Sequence, residues 1–170
     1  VNYLQKSGVR FGADLNAYTS FDETVYQLPL PSDDPEIVKN GMQIMRDWAQ
    51  DAAFDGSEID KERGVVLEEK RLGKGAQQRM RDKYLPMLFN NSRYSSRIPI
   101  GTEEVLKNAK PETIKQFYTD WYRPDLQALI VVGDIDVNAM EQMIKTKFSN
   151  LKNPAKPRPR TEYKISLLNK

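Results

Sequence analysis

The sequence predicts an α+β domain, with an antiparallel-rich β-sheet layered with helices. Three patterns carry that expectation. FGADLNAYTSF places Phe11, Ala13, Leu15, Ala17, Thr19 and Phe21 on one face and Asp14, Asn16, Tyr18 and Ser20 on the other, the period of a half-buried strand. LQALIVVGD, ending at Asp134, is apolar on both faces, as a strand covered on both sides must be. Between them lie several segments whose apolar residues recur at helical spacing.

Taken in order, Val1, Leu4 and Gln5 before Gly8 read as the end of a helix. After the first strand, a polar turn at Asp22 and Glu23 leads to ETVYQLPLP, with Thr24, Tyr26, Leu28 and Leu30 on one face. Pro29 and Pro31 exclude a central position, so an antiparallel pair at a sheet edge is expected. Asp34 then caps a helix with Pro35 at its first position, and Ile37, Ile44, Met45, Trp48 and Ala52 continue it toward Gly56. Ser57 and Asp60 resemble a capping box and open a second, acidic helix. A weaker helix surrounds Met80 to Phe89, and NNSRYSSR reads as loop. Pro111 starts a helix carrying Ile114, Phe117, Tyr118 and Trp121. A last helix, Val137 to Leu151, presents Val137, Met140, Ile144 and Phe148. Met80, Met87, Met140 and Met143 are expected in the core. Residues 1–152 are read as one domain cut at its N-terminal side. In 153–170, three prolines among basic residues form a connector, and KISLL resembles the start of a strand in a following domain.

Composition excludes several classes. A chain of 170 residues with 39% apolar content suits one domain with a sizeable core. Lys and Arg number 26 against 24 acids, a net +2, so nucleic acid is not an expected partner. No apolar run approaches the ~20 residues of a membrane span, so no membrane partner is expected either. Without cysteine there is no disulfide or thiol chemistry.

The candidate site lies on the acidic helix, SEIDKERGVVLEEKRLGKG, which holds Glu58, Asp60, Glu62, Glu68 and Glu69. Glu62 and Glu69 are seven apart and point within about 20° of each other, two turns distant. Val65 and Val66 lie between them, whereas Glu68 sits about 100° from Glu69 and faces elsewhere. A carboxylate on a core-directed face requires a partner, either a cation or a metal. Spacing alone favours the plainer of two readings, a salt-bridged surface helix with Lys61, Arg63, Lys70 and Arg71. Arg123 and Pro124 are read as structural, with proline ending the helix before the strand. Gly73 and Gly75 are read as a loosening or bend of the helix, since they lack a phosphate-loop pattern.

Resemblance shifts that balance. FDGSEIDKERGVVLEEKR, with LNAYTSFDETVY upstream and FYTDWYRPDLQALIVVGDID downstream, resembles the N-terminal catalytic domain of the pitrilysin/insulinase family of zinc metallopeptidases, which includes mitochondrial processing peptidase. In that family two histidines of an inverted HxxEH helix and a downstream glutamate bind zinc. The resemblance implies that Glu69 is the third zinc ligand and Glu62 a supporting catalytic acid that faces the site. It also implies that Asn16 and Ala17, with Tyr18 beside them, bind a peptide or unfolded protein substrate by strand addition. A second homologous domain or subunit would close the chamber, and the resemblance to larger bacterial members points to the periplasm.

The departure is equally plain, because the chain has no histidine and hence no HxxEH. The family's spacing, counted back from Glu69, places that motif just upstream of Val1. This chain alone is therefore expected neither to hold zinc tightly nor to cleave peptides, since one carboxylate cannot complete a tetrahedral site. The alternative is a non-catalytic homologue, regulatory or structural, acting as a peptide-binding or subunit-interaction domain. A helical interaction module unrelated to peptidases would leave the NAYTS strand and the phased acids as coincidence.

Overall fold

A computed structural model describes residues 16–31, 33–90 and 92–165. These form β1 (Asn16–Thr19), β2 (Thr24–Gln27), α1 (Pro35–Gln50), α2 (Gly56–Leu72), α3 (Ala76–Leu88), a 3₁₀ turn (Arg93–Ser96), α4 (Glu103–Asn108), α5 (Pro111–Trp121), a second 3₁₀ turn (Pro124–Leu126) and α6 (Val137–Phe148). Helix dominates, and the sheet among the described residues is the β1–β2 hairpin, closed by Ser20 N–H donating to Glu23 O at 2.8 Å. The α+β expectation therefore holds only coarsely. Residues 127–132 follow the strand pattern in their burial, with Leu129 and Val131 half-buried between exposed neighbours, but they join no ladder among the described residues. The expected helix at Val1, the start of the first strand, and most of KISLL lie outside the described residues.

Two compact units are present among the described residues. One holds 16–18, Thr24–Ala53 and Gln116–Arg158; the other holds Thr19–Glu23, Phe54–Lys115 and 159–165. In the first, α1 forms as expected, with Asp34 Oδ1 accepting from Glu36 N at 2.9 Å and Pro35 at the first helical position. It stops at Gln50 rather than near Gly56 and packs on α6. Lys147 Nζ donates to Gln43 Oε1 at 2.9 Å, Arg46 to Asn150 at 3.1 Å, and Gln50 Nε2 to Lys152 O at 2.8 Å. Among the described residues, Met42, Tyr118 and Met140 are the buried apolar side chains. Met140 is where the sequence placed it; Met80 and Met87 are not, being 62% and 74% exposed on α3. Arg123 is buried, donates to Arg158 O at 2.8 Å and places Nε 3.1 Å from Asp125 Oδ1. Its role there is to tie α5 to residues 153–158, consistent with the structural reading.

In the second unit the acidic helix is capped by Asp55, not Ser57. Asp55 Oδ1 accepts from Ser57 N at 2.8 Å, Glu58 N at 3.3 Å and the Ser57 hydroxyl at 2.6 Å. These three donors hold the Asp55 carboxyl below the usual range, the hydroxyl bond contributing most. Gly73 and Gly75 do more than bend the helix: they end α2 and cap α3. Helix α4 was not expected from the sequence pattern; its Thr102 hydroxyl accepts from Val105 N at 3.2 Å. NNSRYSSR contains the first 3₁₀ turn, near which Phe21, Phe89 and Tyr94 pack edge to face or tilted, 5.3 to 6.0 Å apart. No helix of the described residues is long and apolar enough to cross a membrane.

Candidate functional site

The placement of Glu62 and Glu69 follows from which side of α2 is packed. Ile59, Arg63, Val66, Leu67 and Lys70 recur at helical spacing and are half-buried. Arg63 turns that face toward α4, its Nη1 donating to Leu106 O at 2.7 Å and its Nη2 to Ala109 O, so a guanidinium covers the carbonyls at the α4 C-terminus. Lys70 Nζ donates to Gly101 O at 2.5 Å, and Lys74 pairs with Glu103 at 2.5 Å, which holds Glu103 below the usual carboxylate range.

Roughly a quarter turn from this packed face runs a stripe of Glu62, Val65 and Glu69, all exposed, with Val65 59% exposed. The two acids are thus in phase, as their spacing requires. The core-directed face that the sequence suggested for them is corrected: the packed side belongs to Ile59, Arg63 and Val66, and Val65 looks outward with the acids.

The remaining carboxylates of α2 are engaged. Glu58 accepts from Lys61 at 2.6 Å and Asp60 from Arg63 Nε at 2.9 Å. Glu68 accepts from Arg71 through Nε at 2.7 Å and Nη2 at 2.6 Å, which holds its carboxyl below the usual range. The salt-bridged surface helix is therefore real for these three acids. Among the described residues neither the Glu62 nor the Glu69 carboxylate has a hydrogen-bond or ion-pair partner.

Such a carboxylate, on a regular helix and accessible from one side, fits a single ligand position of a zinc site. Among the described residues no group of three His, Cys, Asp or Glu is gathered, and the sequence has neither His nor Cys. Nitrogen donors would have to come from outside this chain.

The predicted substrate residues fall in the other unit. Asn16 opens β1, followed by Ala17 and Tyr18, both exposed, Tyr18 to 50%. Tyr26 on β2 joins this hairpin to α5, its hydroxyl 2.7 Å from that of Tyr122, with its ring 5.7 Å from that of Trp48. Burial, then the Tyr122 bond, raises the Tyr26 phenol above its ordinary value. The sequence pattern placed Tyr26 on one face of its strand without a site role and did not mark Tyr122; the signal available was their aromatic character at the hairpin and at the end of α5.

A family model described as insulinase (peptidase family M16) matches residues 1–98, and one described as the peptidase M16 inactive domain matches residues 108–167. The chain is 40% identical over 151 residues to the probable zinc protease PqqL of Escherichia coli, covering 89% of this chain and 16% of that protein. The crystal structure of the first half of the periplasmic protease PqqL from E. coli superposes with a TM-score of 0.90 at 37% identity, over 98% of this chain and 35% of that one. The structure of the ferredoxin protease FusC in complex with Arabidopsis ferredoxin superposes with a TM-score of 0.89 at 31% identity, over 99% of this chain and 18% of that one. The chain thus spans about one sixth of the full-length relative it matches.

Proposed function

The chain belongs to the insulinase family, peptidase family M16, and from that premise we propose that the intact protein is a zinc endopeptidase to which this chain contributes the glutamate arm of the metal site and a substrate-binding strand. The observation that carries this reading is the contrast along α2: Glu58, Asp60 and Glu68 are held by cations, while Glu62 and Glu69 share an open stripe. Glu69 would hold zinc together with two imidazoles from outside this chain. When bound, zinc supplies a Lewis acid and a water of lowered pKa, ~7.

The remaining steps belong to this chain's own residues. Glu69 contributes negative charge and a fixed direction from a helix anchored by Arg63 and Lys70. Glu62, two turns away on the same side, orients imidazole ligands or substrate through a hydrogen bond. Asn16, Ala17 and Tyr18 take an extended peptide or unfolded protein by backbone pairing along β1. That strand is short and belongs to a two-stranded sheet, and its Ala17 and Tyr18 side chains are exposed. The wider layered sheet, a connector at 153–170 and a second homologous half that encloses the substrate belong to the same reading. So does a periplasmic location, by extension from the E. coli relative described as periplasmic. Lacking histidine, this chain alone should not hydrolyse peptides.

A second reading, a non-catalytic homologue that binds peptides or subunits, draws on the match of residues 108–167 to the M16 inactive domain. One experiment separates the two. The intact protein is offered an unstructured peptide with and without a chelator, beside an Ala17→Pro variant. The peptidase reading requires hydrolysis that chelation abolishes and zinc restores, and a raised KM at unchanged zinc content in the proline variant. Peptide binding without hydrolysis and without stoichiometric zinc would establish the non-catalytic reading.

A further inference from the structure

Helix α3 presents a face that the zinc site does not use. Met80, Tyr84, Met87 and Leu88 are 62%, 40%, 74% and 66% exposed. At 100° per residue they form one stripe about 100° wide, while the half-buried Gln78, Leu85 and Pro86 hold the opposite side against the unit. Cations frame the stripe: Arg81 follows Leu88 around one border, and Lys83 and then Arg79 follow Met87 around the other. The helix's one carboxylate, Asp82, lies on the far side and accepts from Gln78 at 2.7 Å.

The contrast with α2 is informative. There Lys61, Arg63 and Arg71 each hold a carboxylate, whereas on α3 none of Arg79, Arg81 and Lys83 has a carboxylate partner among the described residues. Among the described residues the Arg79 guanidinium donates to the Lys74 carbonyl, at 3.5 Å. An open apolar stripe bordered by unneutralised cations is complementary to a surface with the reverse character. Methionine suits such a surface, because its unbranched thioether chain repacks around varied shapes.

We propose that the Met80–Tyr84–Met87–Leu88 face of α3 is a docking surface for an acidic polypeptide segment that carries large apolar side chains. The apolar side chains of the partner lie on the two methionines and Tyr84, and its carboxylates reach Arg81 on one border and Lys83 and Arg79 on the other. A polypeptide fits this face better than a lipid surface: four side chains on a helix already fixed along its other side offer little to insert between acyl chains. The proposal does not depend on the zinc reading, since it uses neither Glu69 nor β1.

The test uses the full chain and a fluorescein-labelled peptide of alternating Glu and Leu, with a Lys and Leu counterpart, followed by fluorescence anisotropy. The acidic peptide should bind saturably and the basic one should not. Raising salt from about 50 to 300 mM should weaken binding several-fold. Arg81→Glu with Lys83→Glu, and separately Met80→Gln with Met87→Gln, should each weaken it about tenfold while the circular dichroism spectrum is kept. Because the charge preference is read on the unaltered chain, a variant that fails to fold leaves the test decisive. Absence of acidic-peptide binding, equal binding of the basic peptide, or binding that survives both double variants would overturn the proposal. Binding of phosphatidylglycerol vesicles with no peptide binding would replace it with a membrane surface. Self-association through α3 that the peptide cannot compete with would replace it with a contact between copies.

Discussion

Arg71 clasps Glu68 through two hydrogen bonds, Nε to Oε2 at 2.7 Å and Nη2 to Oε1 at 2.6 Å, one residue before the open carboxylate of Glu69. The pairing separates two adjacent glutamates chemically: one is neutralised by its own helix and the other is left available. Glu68 should titrate below the ordinary glutamate value of 4.5. A depressed carboxylate contributes stability that is present above its unfolded pKa and lost as pH falls through its folded pKa. Carboxyl carbon NMR should therefore show Glu68 holding its charge into more acidic solution than an ordinary glutamate, and Arg71→Gln should return it toward 4.5. The pair is fully exposed, so the thermal midpoint should barely move.

Arg63 joins α2 to α4 by donating to the carbonyls of Leu106 and Ala109. Charged hydrogen bonds at a part-buried site are worth about 1.5–3 kcal/mol, so Arg63→Ala should cost about 2 kcal/mol in urea denaturation. Arg63→Lys, which cannot span both carbonyls with a planar fork, should fall between. Hydrogen exchange should accelerate in α4 before it does in α1, which belongs to the other unit.

Gly41 lies buried in α1 beneath Leu30, where an added Cβ would collide with Leu30 Cδ1. Gly41→Ala should thus destabilise the unit by about 1–3 kcal/mol, despite alanine's better helix propensity. Pairing it with Leu30→Ala should recover the collision part of the loss but not the lost packing. A double-mutant cycle in denaturant measures both.

Tyr26 is raised by burial first and by its bond to Tyr122 second, and burial also raises Tyr118. In the unfolded chain these phenols ionise near 10.0. Above that pH the unfolded state releases protons that the folded state retains, so stability is intact below pH 10 and declines as pH rises past it. Phenolate absorbance should show Tyr26 ionising late. Tyr122→Phe should lower that ionisation part of the way, because burial remains.

Much of this was legible in the sequence. Asp34–Pro35 announced α1, the alternation around Asn16 and Thr24 announced the hairpin, and the seven-residue interval put Glu62 and Glu69 in phase. The misses have physical causes. Asp55 and Ser57 are both competent caps, and only geometry shows that the Ser57 hydroxyl is spent on Asp55. α4 is one short helix whose Thr102 cap is visible but whose tie to α2 depends on a distant Arg63. Residues 127–132 carry a strand's pattern, yet a ladder needs a partner strand, and among the described residues they join none, with Ile130 and Val132 81% and 90% exposed. Met80 and Met87 have core spacing, but whether a stripe is covered is decided by neighbours that local spacing does not name. The same limit applies to the acids: phase was readable, but which carboxylates their own helix would neutralise was not.

The most direct test of the central claim is the zinc content of the intact protein, measured for Glu69→Gln beside Glu68→Gln. Glu69→Gln should lose both zinc and peptide hydrolysis while Glu68→Gln keeps both. Full zinc occupancy in Glu69→Gln would contradict the claim.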